Sequence, residues 1–110
     1  MQPVASDDLE NVCQPVTRAS GLPNRFYVDP DCFTAEKDRV FVSSWSAVGF
    51  AKDVPTPGDV MPVVFLDIPM LLVRDRQGSV RVFQNTCRHR GMILVREKTN
   101  LRGVIRCPYH

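Results

Sequence analysis

Several things are scarce in this chain of 110 residues, and each scarcity excludes something. No apolar run is long enough to span a bilayer: the longest, 60–73, is interrupted by Pro62, Asp67 and Pro69. The first ten residues hold Asp7, Asp8 and Glu10 and no apolar core, which argues against a secretory signal of the usual design. A soluble, cytoplasmic chain without membrane association is therefore the expectation. Net charge is only +2 and the arginines are scattered, so no basic tract recommends nucleic acid as a partner. Repeats and low-complexity segments are also lacking.

Histidine is scarcer still, with two in the chain, His89 and His110. Four cysteines accompany them. In a reducing compartment four thiols read more readily as ligands or free cysteines than as two disulfides. Cys13 and Cys32 have no partner at a telling spacing and read as chemically silent.

Residues 1–24 carry turn formers without a period and are expected to be loosely ordered, apart from a short helix over 6–12 capped by Ser6. A helix over 32–42 follows, with Asp29 or Asp31 as its cap and Pro30 at its first turn. It would set Phe33, Val40 and Phe41 on one face, and Phe41 and Trp45 read as core packing. From Trp45 onward the period turns towards strand. Residues 60–66 and 70–74 read as strands, 75–78 as a hairpin turn, 79–84 as a returning strand and 104–106 as a last one. Short strands joined by Gly- and Pro-bearing turns predict an antiparallel, mainly β domain after one helix.

Chemistry concentrates in Cys87-Arg88-His89-Arg90-Gly91 and Cys107-Pro108-Tyr109-His110. Seventeen residues, 90–106, lie between the two pairs, each of which offers one thiol and one imidazole. Two thiolates on one iron and two neutral imidazoles on the other is a known [2Fe–2S] ligand set. Gly91 permits a sharp exit from the first loop, and Pro108 restricts the second. Imidazoles in place of anionic thiolates leave the cluster less negative and raise its reduction potential. The alternative is a tetrahedral Cys2His2 zinc site, which takes the same residue types. Such sites usually pair like with like at wider cysteine spacing, so Cys-x-His followed by Cys-x-x-His is unusual for zinc.

In the runs 85–91 and 107–110 the chain resembles the Rieske family. More narrowly, it resembles the N-terminal part of the α subunit of Rieske non-haem iron oxygenases, whose members hydroxylate aromatic rings or demethylate quaternary amines. The resemblance implies Cys87, His89, Cys107 and His110 as ligands of a [2Fe–2S] cluster. It also implies a Rieske-type antiparallel β-sandwich or small barrel over 44–110, behind a helical region at 25–43. Respiratory and photosynthetic relatives brace their loops with a disulfide, whose cysteines would fall at Met92 and Tyr109 here. Their replacement points to the oxygenase or ferredoxin branch. Upstream, Leu22-Pro23, Phe26-Tyr27, Trp45 and Pro57-Gly58-Asp59 resemble the leading segment of an oxygenase α subunit rather than a free-standing ferredoxin.

For such a parent the resemblance implies a reductase or ferredoxin as electron donor, NAD(P)H as the ultimate source, and a mononuclear Fe(II). It further implies a homotrimer and a small organic substrate. No histidine remains here for that second iron. The sequence therefore reads as a fragment ending on its last ligand, and one expected to load its cluster poorly alone.

Overall fold

A computed structural model describes residues 5–109. Contacts divide the chain after Ser46 into two compact units.

The first unit is built from short helices. Helix α1 spans Ser6–Glu10. It is shorter than expected, and its cap is Ala5 rather than Ser6, which lies inside the first turn. Capping instead comes from within, since the Asp8 carboxylate accepts the Ala5 N–H at 2.9 Å and also pairs with Arg25. Helix α2 covers Arg25–Val28 and helix α3 covers Pro30–Glu36. Asp29 caps α3 by accepting the Asp31 N–H at 2.8 Å, and Pro30 occupies the first turn, where a missing N–H costs nothing.

The expected helix over 32–42 thus starts earlier and does not stay α-helical. Over Lys37–Phe41 it widens into a π-turn, closed by the Val42 N–H on the Lys37 carbonyl at 3.1 Å. Widening the turn breaks the apolar stripe that a continuous α-helix would present. Phe33, Val40 and Phe41 are exposed, and Trp45 is fully so at 103%. Neither Phe41 nor Trp45 is a core residue here, contrary to expectation. Cys32 is the buried residue of α3, packed near Arg25 like a small hydrophobe. Cys13 is exposed.

The second unit is one antiparallel sheet in the order β3-β2-β1-β4. Its strands are β1 (Asp59–Phe65), β2 (Ile68–Arg74), β3 (Val80–Gln84) and β4 (Thr99–Asn100). The mainly β, antiparallel expectation holds. Two local expectations do not. The stretch from Trp45 to Phe50 forms no strand and leads into a 3-10 turn at Ala51–Asp53. Residues 104–106 also form none, because the chain turns away first: Arg102 and Gly103 take φ of 49° and 102°. The strand that does close the sheet, β4, is held by the Asn100 amide, which donates to the Pro57 carbonyl at 3.1 Å and to Asp59 at 2.9 Å.

Register explains the core. Val60 pairs with Val73 and Pro62 with Leu71, so these residues share a face. There Val60, Leu71 and Val95 are buried, with Val73, Leu94, Leu101 and Ile105 packed against them. Leu72 points to the opposite face, where a Cβ on Gly49 would come within 2.6 Å of it. Because β4 pairs only with Asp59 and Val60, Pro62 lies on an edge where its missing donor is harmless.

The β1–β2 turn places Leu66 and Asp67 at φ of 51° and 65°, the geometry of a two-residue primed turn without its usual glycine. Between β2 and β3, the Asp75 carboxylate accepts the Gln77 and Ser79 N–H groups and the Arg81 guanidinium. Arg74 donates to the carbonyls of Val54, Gly78 and Ala51 at 2.7–2.8 Å, tying the 3-10 turn and the hairpin to one side chain.

Two carboxylates make this unit sensitive to acid. The Thr56 N–H, then the Asn100 amide, hold Asp59 below the ordinary carboxylate range, and Arg81 followed by the Ser79 N–H does the same for Asp75. A lowered folded pKa contributes stability above the unfolded value of about 4 and loses it as pH falls through the folded value. Urea unfolding at pH 7, 4 and 3 should therefore show a stability loss that is shallower in Asp59→Asn and Asp75→Asn.

Candidate metal centre

The first thiol loop grows out of the end of β3. Asn85, 2% exposed, donates from its side-chain amide to the Val95 carbonyl at 2.6 Å and accepts the Val95 N–H at 2.9 Å. Its own N–H donates to the Pro69 carbonyl at 2.8 Å. Above this clamp Thr86 bridges Ile93, the Cys87 N–H donates to Met92 at 2.7 Å, and the Gly91 N–H returns to Cys87 at 2.9 Å. Gly91 takes φ of 69°, so the sharp exit foreseen for it is present. Nothing lies within 4 Å of where its Cβ would be, so backbone conformation rather than space favours glycine.

The second loop leaves the core at Leu101 and Ile105. The Leu101 N–H donates to Gly58 at 3.0 Å, and Asn100 receives the Arg102 N–H at 3.0 Å. Gly103 passes so close to Arg76 that a Cβ would meet the guanidinium at 2.7 Å. Cys107 follows, half-buried.

The two loops bring Cys87 and Cys107 together. The Cys87 thiol is held below its ordinary range first by the backbone N–H of His89, then by hydrogen bonding with Cys107, with the Arg90 N–H adding to the effect. N–H groups aimed at sulfur favour the anionic form, the form in which cysteine binds metal. Both thiols are free and half-buried, whereas His89 is exposed. His110 lies outside the described residues. Among the described residues, no group of three or more His, Cys, Asp or Glu side chains converges as a single metal site. Arg88 is exposed, and Arg90 pairs with Tyr109 by a hydrogen bond to the hydroxyl and by lying 5.1 Å from the ring centroid.

Sequence reasoning passed over Asn85 as anything but part of a motif. Its signal was available: a polar residue closing an alternating strand, immediately before a ligand loop.

The sheet thus sends two thiol-bearing loops to one point and sets two sulfurs, each a possible metal ligand, side by side. Residues 44–110 match the family described as Rieske [2Fe-2S] domain, and the chain belongs to that family. The family implies a [2Fe–2S] cluster and a role in electron transfer, and the paired thiols with N–H groups directed at Cys87 Sγ are a donor set that fits one.

Among its relatives, the carnitine monooxygenase oxygenase subunit of Escherichia coli K12 is 36% identical over 101 residues, which is 92% of this chain and 27% of that one. The chlorobenzene dioxygenase subunit alpha of a Cupriavidus species is 38% identical over 93 residues, 84% of this chain and 21% of that one. A crystal structure of a quaternary ammonium Rieske monooxygenase with L-carnitine superposes with a TM-score of 0.73 at 30% identity, covering 84% of this chain and 26% of that one. The chain thus spans about a quarter of the length of the relatives it matches. Among the described residues no helix is long and apolar enough to cross a membrane.

Replacing Asn85 by alanine would leave the Val95 N–H and carbonyl buried without partners, at about 1–3 kcal/mol per group. Urea unfolding of Asn85→Ala should show a loss of about 2–4 kcal/mol. Asn85→Asp, which sets a carboxylate oxygen against the buried Val95 carbonyl, should lose at least as much as Asn85→Ala at pH 7.

Proposed function

We propose that this chain is the electron-accepting part of a Rieske oxygenase α subunit. Cys87 and Cys107 would hold the inner iron of its cluster, and His89 and His110 the outer one. The observation that carries the oxygenase reading is the reach of the likeness. It extends over 92% of the chain, well beyond the residues of the Rieske match, into oxygenase subunits. A free-standing electron carrier needs only the cluster domain, so likeness across the helical unit favours the oxygenase.

When bound, the cluster would supply one-electron acceptance and release at a potential raised by its neutral imidazoles. The chain's own residues tune and orient that chemistry. The N–H groups of His89 and Arg90 stabilise negative charge on Cys87 and so favour the bound thiolate. Half-burial of Cys87 and Cys107 shields the thiolate side, while the exposed His89 gives the imidazole side access to a protein partner.

In the parent protein, the donor would be a reductase, with or without a ferredoxin, drawing on NAD(P)H. The acceptor would be a mononuclear Fe(II) where a small organic substrate is hydroxylated or demethylated. By their names, related proteins act on carnitine in one case and chlorobenzene in another. A cytoplasmic homotrimer is the assembly this reading expects.

The test is analytical. Protein reconstituted anaerobically with ferrous iron and sulfide should take up iron and acid-labile sulfide in equal amounts, up to two of each per chain, and give an electron paramagnetic resonance signal on reduction. Cys87→Ser and Cys107→Ser should each abolish that signal and most of the iron. Stoichiometric zinc, with no colour and no signal, would overturn the reading.

A further inference from the structure

We propose that Arg90 and Tyr109 form a non-covalent brace between the two cysteine loops and are positioning residues that fix the spacing of Cys87 and Cys107. The proposal rests on the reading of those cysteines as cluster ligands, and adds what keeps them in register.

The two loops are secured differently. The first is closed on itself by the Cys87–Met92 and Gly91–Cys87 backbone hydrogen bonds over the Asn85 clamp. The second is anchored upstream of its ligand, where Leu101 and Ile105 pack on the core, and Cys107 lies beyond that anchor. Holding one thiol against the other therefore calls for a contact on the far side of Cys107. Tyr109 stands there, two residues on, and Arg90 stands three residues past Cys87.

Arg90 engages this tyrosine twice. Its guanidinium donates to the phenol oxygen and also lies 5.1 Å from the ring centroid. A planar guanidinium against a ring with a fixed hydroxyl restricts both distance and orientation, which a single ion pair does not. The pair therefore closes a frame whose opposite side is the contact between Cys87 and Cys107.

Two readouts test it on the purified protein. The first is the rate at which the cluster is lost to an iron chelator. The second uses the cluster-free protein and phenylarsine oxide, which bridges two neighbouring thiols with loss of one water and no change of oxidation state. Peptide mapping would assign the bridge to Cys87 and Cys107.

Arg90→Gln and Tyr109→Leu should each speed cluster loss and weaken arsenical binding by about three- to tenfold. Arg90→Lys and Tyr109→Phe, which keep part of the contact, should be intermediate. The double variant Arg90→Gln/Tyr109→Leu should be no worse than the more severe single one, as for residues acting as a unit. Arg88→Gln removes the same charge from the same loop and should leave arsenical affinity at the wild-type value. Wild-type arsenical affinity in Arg90→Gln or Tyr109→Leu, or additive effects in the double variant, would overturn the brace. Should the wild type bind zinc in place of iron and sulfide while the arsenical pattern holds, the cluster reading fails and the brace stands.

Discussion

Asn85 commits both ends of its side-chain amide to one residue ten positions away, and that exchange is the constraint on which the rest of the centre depends. A carboxamide carries a donor and an acceptor side by side, so it can serve the N–H and the C=O of one residue and imitate a strand pairing where no strand is present. The imitation matters because the segment between Asn85 and Val95 must leave the sheet, expose a thiol and an imidazole, and come back. With its base fixed, the loop needs few further bonds to define the direction of Cys87. Being buried makes the clamp consequential in both directions, since a satisfied buried amide rigidifies and an unsatisfied one is costly.

What lies beneath the clamp is organised to keep it still. The Asn85 N–H reaches the Pro69 carbonyl, so the loop base is joined to the β1–β2 hairpin as well as to Val95. Val95 is itself part of the core with Val60 and Leu71, whose alignment follows from the hairpin register. Arg74 performs a comparable service around the other turns, satisfying three carbonyls with charge-assisted bonds from one guanidinium. Sheet register, core and loop base therefore form one chain of dependence that ends at a cysteine sulfur.

How much of this the sequence disclosed follows from which forces were local. The apolar run at 60–66, the alternation in 79–84 and the Asp75–Gly78 turn are short-range signals, and the strands and the β2–β3 hairpin formed where they point. The two thiol loops and the glycine exit were legible because paired cysteine motifs and positive φ leave marks on residue type. The strand expected at 104–106 was not realised because Arg102 and Gly103 redirect the chain. Of these only the glycine announces such a conformation, an arginine at φ of 49° being unmarked. Phe41 and Trp45 were misjudged for a related reason. Apolar character predicts a wish for burial, but the π-turn at Lys37–Phe41 redirects Phe41, and Trp45, past that turn, is exposed. The Asn85–Val95 exchange and the Arg90–Tyr109 pair join residues 10 and 19 apart, and no periodicity reports contacts of that kind.

The two loops also differ in a way that bears on how a pair of thiols is held ready. The first closes on itself, its cysteine held by hydrogen bonds within the loop. The second reaches its cysteine from an anchor on the core, past a glycine folded under Arg76, and meets the first through side chains. A self-closed loop facing one held through side chains separates two requirements that a single loop would have to satisfy at once. Direction is set by Asn85 and the backbone around Cys87, and spacing by whatever holds the second loop across the gap. Hydrogen bonds from the His89 and Arg90 backbone to sulfur then need to be built on the first loop alone. The backbone hydrogen bonds that favour the thiolate at Cys87 thus come from its own loop, and the second loop adds the contact from Cys107.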